Sequence, residues 1–178
     1  KGLRVVEIAN KFPRVEAVLA SIKEKYEYVG KTFSIVVPEK IEQIIEEGQA
    51  LKHCLDRSDR YFERIANQES YIVFLRRTKA MEQPYYTLEI EPDGTTRQKR
   101  TVGDNQNNDY HRAEKFLKKW QAAIRPRLSQ EDFERQEISR QLRMYELESL
   151  RNDKVTVHGG IHAGELLADI LEADLMEA

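Results

Sequence analysis

Apolar positions recur along this chain with two different periods. From Leu3 to Tyr28 the spacing is helical. Val5, Ile8 and Phe12 form one short stripe and Val15, Val18, Leu19 and Ile22 a second, with Pro13 breaking or kinking the stretch between them. Phe33 to Val37 is a β-branched and aromatic run, which predicts a strand. Pro38 then opens a helix, at a position where its missing N–H costs nothing, and Ile41, Ile44 and Ile45 give that helix its buried face. Gly48 is a candidate end for it. Leu51, Cys54 and Leu55 nevertheless continue the apolar rhythm, so a further helical turn would carry His53 and Cys54. Arg60 to Asn67 reads as a short helix with Tyr61, Phe62 and Ile65 apolar.

The period then changes to two. Tyr71 to Leu75 is apolar throughout, as in a strand buried on both faces. Tyr85 to Glu91 alternates, with Tyr86, Leu88 and Ile90 on one face and Tyr85, Thr87 and Glu89 on the other. Pro92-Asp93-Gly94 is a turn, because proline presets φ and glycine accepts a positive one, and Thr95 to Val102 follows as the partner strand. After a polar, Asn-rich loop, Asp109 to Ile124 is strongly amphipathic, with Tyr110, Ala113, Leu117, Trp120 and Ile124 spaced by threes and fours. Ser129 and Asp132 resemble a capping box that opens a helix to about Leu150. The apolar stripe of that helix (Phe133, Ile138, Leu142, Tyr145) is thin, so it packs by one edge or pairs with another helix. Val155 to Val157 is a small edge-strand candidate, and Glu165 to Met176 is an acidic helix with Leu167, Ile170, Leu171 and Leu175 on one side.

These elements predict an α+β fold: a small antiparallel three-stranded meander flanked by helices, with a helical C-terminal extension. The divisions are an N-terminal helical segment (1–32), an α+β core (33–125) and a charged helical extension (126–178). At 178 residues the chain is long enough for one full core, or one core plus an appendage. No stretch has the length and apolarity of a membrane span. A lone cysteine excludes an internal disulfide and fits a reducing compartment. No positively charged leader precedes an apolar run, so a cytoplasmic protein, or a fragment of one, is expected.

The net charge of −2 is uninformative, but its distribution is not. Arg97 to Arg127 holds nine Lys/Arg against three acids, and Ala163 to Ala178 holds five acids and no base. Arg97, Lys99 and Arg100 on the hairpin, with Lys115, Lys118 and Lys119 on the Trp120 helix, form a candidate nucleic-acid surface. It lacks an exposed aromatic platform on which bases would stack. The acidic last helix is the candidate docking element for a protein partner.

Candidate chemistry centres on Glu47-Gly48, His53 and Cys54. A thiolate is a nucleophile and a neighbouring histidine lowers a thiol's pKa. Adjacent helical residues diverge, however, so a partner for Cys54 has to come from elsewhere. A zinc site needs about four ligands and there is no second cysteine. His158 and His162 have chelating spacing only on a helix, and Gly159-Gly160 argues against one. No metal or cofactor is therefore expected. The alternative for Cys54 is a small buried hydrophobe. Arg76, Thr87, Glu89 and Gln98 share a sheet face if the strands pair as expected, and an arginine beside a carboxylate suits anion recognition. The competing reading is a solvated face with cross-strand ion pairs.

The same residues carry a resemblance. Pro38, Glu47-Gly48, Leu51, His53-Cys54-Leu55, Tyr61, Ile72 to Arg76, Pro84 to Ile90, Gln98, Arg100, a loop asparagine and Trp120 together resemble the PcfJ-like family of conjugative plasmids, phages and related mobile elements. The resemblance covers about Phe33 to Ile124. Thr101 stands where the family pattern has glycine, with Gly103 and Asn105 slightly later. It implies a mobile-element setting but brings no established activity with it. The expectation is a polar pocket for an anionic ligand such as a nucleotide or nucleic acid. His53 would be the general acid/base, Arg76 the charge clamp and Glu89 the orienter or second acid/base, with Thr87 and Gln98 lining the pocket and Cys54 beside it. The alternative is a non-catalytic nucleic-acid-binding or assembly module.

Overall fold

The computed structural model of the chain describes residues 2–51, 59–101 and 110–178. In order come α1 (Gly2–Lys11), α2 (Val15–Tyr26), β1 (Tyr28–Val29), β2 (Phe33–Val36), α3 (Ile41–Leu51), α4 (Arg60–Ala66), β3 (Tyr71–Arg77), β4 (Tyr86–Ile90), β5 (Thr96–Arg100), α5 (Tyr110–Ile124), α6 (Gln130–Asn152) and α7 (Leu167–Asp174). Most of the expected helices and strands are present with small shifts at their ends; Val155 to Val157, expected as an edge strand, makes only an isolated bridge from Thr156 to Leu166, and the turn expected to carry His53 and Cys54 lies outside the described residues. The Phe12-Pro13-Arg14 break separates α1 from α2. α3 begins after Pro38 rather than at it, with the amides of Glu39 and Lys40 donating to the Gln43 side chain, and it runs past Gly48.

The sheet has five strands in the order β1-β2-β3-β4-β5, all neighbours antiparallel, rather than three. The meander β3-β4-β5 is as expected, and β2 and β1 extend its β3 edge. β1 escapes a periodicity reading because it is two residues long. It is turned back onto β2 at Gly30, whose N–H donates to the Phe33 carbonyl at 2.9 Å; a Cβ there would lie 2.5 Å from that same oxygen. At the other hairpin Gly94 has φ +93°, and its N–H donates to Glu91 O at 2.8 Å.

The two faces of the sheet differ in chemistry. By register, Phe33, Ile35, Tyr71, Val73, Leu75, Tyr86, Leu88 and Ile90 share one face, all buried. α5 covers this face. Phe116 meets Phe33 at 5.7 Å between ring centroids, and Trp120 is fully buried with its Nε1–H donating to Tyr26 O at 2.9 Å. The opposite face carries Ser34, Ile72, Phe74, Arg76, Thr87, Glu89, Gln98 and Arg100. It is not solvated as a cross-strand ion-pair ladder would be, because α3, α4 and α6 send side chains onto it. Every residue of β4 is consequently buried, including Thr87 and Glu89. α1 and α2 pack in turn on α3 and α4.

α6 inverts the sequence expectation. Its capping box is formed: Ser129 Oγ accepts from Asp132 N–H at 3.2 Å and Ser129 N–H donates to Asp132 Oδ2 at 2.8 Å. The inward stripe is polar, with Asp132, Gln136 and Ser139 buried and Arg143 nearly so. Of the apolar residues expected to pack, Ile138 is 59 % exposed, Leu142 44 % and Tyr145 74 %. The reason lies on the sheet, where buried carboxylates and guanidinium groups require hydrogen-bonding partners that leucine and isoleucine do not offer. α7 packs on α6 and β5 of its own chain, and Thr96 and Met176 exchange backbone hydrogen bonds at 2.8 Å each way. The half-buried apolar side of the acidic helix is thus engaged within the chain.

Candidate functional site

The polar face gathers its charged groups into two clusters. At the β2 side, Arg76 donates from both Nη atoms to the two carboxylate oxygens of Glu47 near the end of α3, with Nη2–Oε1 at 2.8 Å. Its Nε–H donates to Met81 O at 3.1 Å, and its guanidinium carbon stands 4.8 Å from the Phe74 ring centroid. Both partners are withdrawn from water, with side chains 9 % and 4 % exposed. This bidentate geometry fixes the guanidinium plane.

The second cluster is built around Glu89. Its Oε2 accepts from Arg64 Nη1 at 2.9 Å and from Ser70 Oγ at 2.6 Å, and its Oε1 accepts from Gln98 Nε2 at 2.9 Å. Arg97 Nη1 lies 3.8 Å away. Burial alone would raise this carboxyl, but the charges of Arg64 and Arg97 and the Ser70 and Gln98 hydrogen bonds outweigh it and hold Glu89 below the usual carboxylate range. Gln98 passes the polarity outward: its Oε1 accepts from Arg100 Nη2 at 2.7 Å and Nε at 3.1 Å, and its Nε2 also reaches the Tyr61 hydroxyl at 3.4 Å. Burial and the nearby Glu89 charge push the Tyr61 phenol up. The β-bulge between Glu89 and Ile90 leaves Arg97 as the extra residue of β5, and its side chain joins this face. There Arg97 donates to Glu91 and to Ser139 O at 3.0 Å, and it lies 3.0 Å from Glu69. Glu91 also takes Arg143 Nε at 2.7 Å and Gln136 Nε2 at 2.8 Å.

The residues singled out from sequence therefore fall as follows. Glu89 and Gln98 are in direct contact. Arg76 belongs to the neighbouring cluster, and Thr87 is buried on the same face, opposite Phe74 on β3 and Arg100 on β5. His53 and Cys54 lie outside the described residues. Two members of the expected basic surface are not on the surface. Arg97 is turned inward by the bulge, and Lys99, on the α5 face, is buried with Nζ 3.0 Å from Asp174 Oδ1 and donating to Asp174 O at 2.6 Å. Lys115, Lys118 and Lys119 are exposed on α5, and Arg100 is partly exposed.

Arg64, Ser70, Glu69, Glu91, Gln136, Ser139, Arg143 and Glu146 were not anticipated. An arginine three residues after Tyr61 and next to Ile65, on the apolar side of a short helix, was the one signal for Arg64. Between the Glu89 cluster, α6 and α7 is a cavity of about 30 Å³, lined by Arg64, Glu89, Arg97, Gln98, Arg143 and Glu146 with Leu147, Leu171 and Leu175. That is room for about two waters and far below the roughly 300 Å³ at which small-molecule pockets begin.

A family model described as PcfJ-like protein matches residues 6–115. The chain belongs to the PcfJ-like family. No curated protein and no solved structure matches it. The PcfJ-like match runs from α1 into α5 and so takes in both clusters' sheet residues together with Glu47 and Arg64. It also takes in α1 and α2. The side chains that α6 and α7 bring to the same face fall beyond the PcfJ-like match. Among the described residues, no helix is long and apolar enough to cross a membrane.

Proposed function

We propose that the polar face of the sheet is the working face of this PcfJ-like domain and that it binds or processes an anionic ligand, a nucleotide or a nucleic-acid phosphate. The observation that carries this reading is Glu89, a carboxylate removed from water yet held below the usual carboxylate range by arginines and by hydrogen bonds from Ser70 and Gln98. Buried ion pairs usually stabilise a fold no better than apolar packing of the same volume. A concentration of them on one face, with Glu89 held low by Arg64 and Arg97, supports a site there. Arg76, its plane fixed by Glu47, is the charge clamp. Glu89 orients Gln98 and Arg100. His53 lies in the sequence between Glu47 and Arg64, the helical partners of the two clusters, and is the acid/base candidate, with Cys54 beside it. A cytoplasmic protein of a plasmid, phage or related element is the setting we favour, on the family resemblance.

The test is a binding and turnover screen with nucleotides and short oligonucleotides on wild type and His53→Ala. Loss in the variant, with its melting temperature retained, supports the site; unchanged activity removes His53 from it. A second reading rests on α5, where Arg112, Lys115, Lys118 and Lys119 are all exposed. This side of the molecule would hold nucleic acid by phosphate contacts alone. It predicts salt-sensitive binding that falls in Lys115→Glu/Lys119→Glu and ignores His53.

A further inference from the structure

At its α6 edge the polar face is closed by the side chain of Glu146. Arg64 lies 3.7 Å from Glu69 through Nε and hydrogen-bonds two further carboxylates through its Nη atoms. One is Glu89 on β4, at 2.9 Å from Nη1; the other is Glu146 on α6, hydrogen-bonded to Nη2. Arg60, one turn earlier on α4, adds a second contact to Glu146, with Nη1 3.5 Å from Oε1. Glu89 is fully buried and belongs to the sheet, so it holds Arg64 in place whatever happens to α6. Glu146 is different: its side chain is 30 % exposed and it stands at the rim.

We infer that Arg60 and Arg64 form an anion cradle for a phosphate group, and that Glu146 fills this cradle in cis until a ligand displaces it. Two arginines at i and i+4 on one helix face present forked donors to one point, the geometry that suits a phosphate as well as a carboxylate. Glu146 is the one cover that leaves at little cost. α6 meets the sheet through Gln136, Ser139, Arg143 and Glu146, and the first three hold buried Glu91 and Arg97, so they stay in place. Glu146, at the rim, swings out alone and its carboxylate regains water as the ligand takes its place. The covered cavity between the Glu89 cluster, α6 and α7 then opens onto the same arginines. The inference rests on the polar face being a ligand site, and adds which group is bound and what competes with it.

The experiment is a calorimetric titration of the full chain with pyrophosphate and, separately, with a phosphodiester-only dT oligonucleotide, for wild type, Glu146→Gln and Glu146→Gln/Arg60→Gln. Glu146→Gln is expected to bind about tenfold tighter, the factor for a covered state favoured about nine to one over the open one. Arg60→Gln in that background should reverse the gain. A gain confined to pyrophosphate assigns the cradle to terminal phosphates, and a gain for the oligonucleotide to a nucleic-acid backbone. Equal affinities for wild type and Glu146→Gln overturn the cis-competition while leaving the polar-face site standing. Absence of binding by every protein to both probes overturns both.

Discussion

Replacing Arg76 by methionine isolates what a buried ion pair does in this fold. The pair is closed: both Nη atoms go to Glu47, Nε goes to Met81 O, and both side chains are almost fully buried. Met keeps most of the aliphatic stem against Phe74 but removes every donor. Glu47 is then a buried carboxylate without its guanidinium, which costs about 3–5 kcal/mol for an orphaned member of such a pair. The lost cation–π contact of this desolvated arginine adds about 1–2 kcal/mol. Arg76→Met is therefore expected to destabilise by about 5 kcal/mol, and Glu47→Leu by about 4 kcal/mol because it strands the arginine. The double variant Glu47→Leu/Arg76→Met removes both charges and should return to within about 1 kcal/mol of wild type. Trp120 is the chain's one tryptophan and is fully buried, so urea unfolding followed by its fluorescence reads all four corners of the cycle. Single variants costing under about 1 kcal/mol, or a double variant as unstable as the two singles combined, would refute the assignment of a buried, mutually dependent pair.

Glu89→Gln should cost about 3 kcal/mol at neutral pH, because Arg64 and Arg97 lose their shared anion but keep other acceptors. Glu89 has a folded pKa below its unfolded value, so its contribution is present above the unfolded pKa and is lost as pH falls through the folded one. The gap between wild type and variant should thus narrow in urea titrations run progressively below about pH 4.5, the usual carboxyl range; a gap constant with pH would contradict it. Ser129→Ala removes an acceptor for Asp132 N–H and should cost about 1 kcal/mol in the same assay. Gly94→Ala places a Cβ 2.9 Å from Ile124 Cδ1 at a φ of +93°, and a loss of about 1–2 kcal/mol is expected from the backbone conformation alone.

The elements were legible wherever burial and periodicity agree. α5 announces itself through Tyr110, Ala113, Leu117, Trp120 and Ile124, and β3 through an unbroken apolar run. The pairing of Glu89 with Gln98 follows from the hairpin that Pro92-Asp93-Gly94 closes. What the sequence concealed is that the polar face is buried. Alternation in β4 looks like a strand half in water, and only the distant Arg64, Ser139 and Arg143 make its inner polarity affordable. The same ambiguity hid α6, since a helix with a thin apolar stripe and a polar one does not state which is inside. Arg97 lies on the polar face for a local reason: a one-residue bulge changes the face on which a strand residue emerges. His53 and Cys54, the first features of the chain to suggest chemistry, lie outside the described residues.

The polar face of the sheet and the basic side of α5 are rival surfaces for the proposed ligand. Fluorescence anisotropy of a labelled single-stranded oligonucleotide, competed with ATP, on wild type, Glu47→Leu/Arg76→Met and Lys115→Glu/Lys119→Glu separates them. With the ligand on the polar face, the Glu47→Leu/Arg76→Met protein loses binding while the α5 variant retains it. Binding that survives loss of Arg76 and disappears with Lys115 and Lys119 would contradict that placement and assign the function to α5.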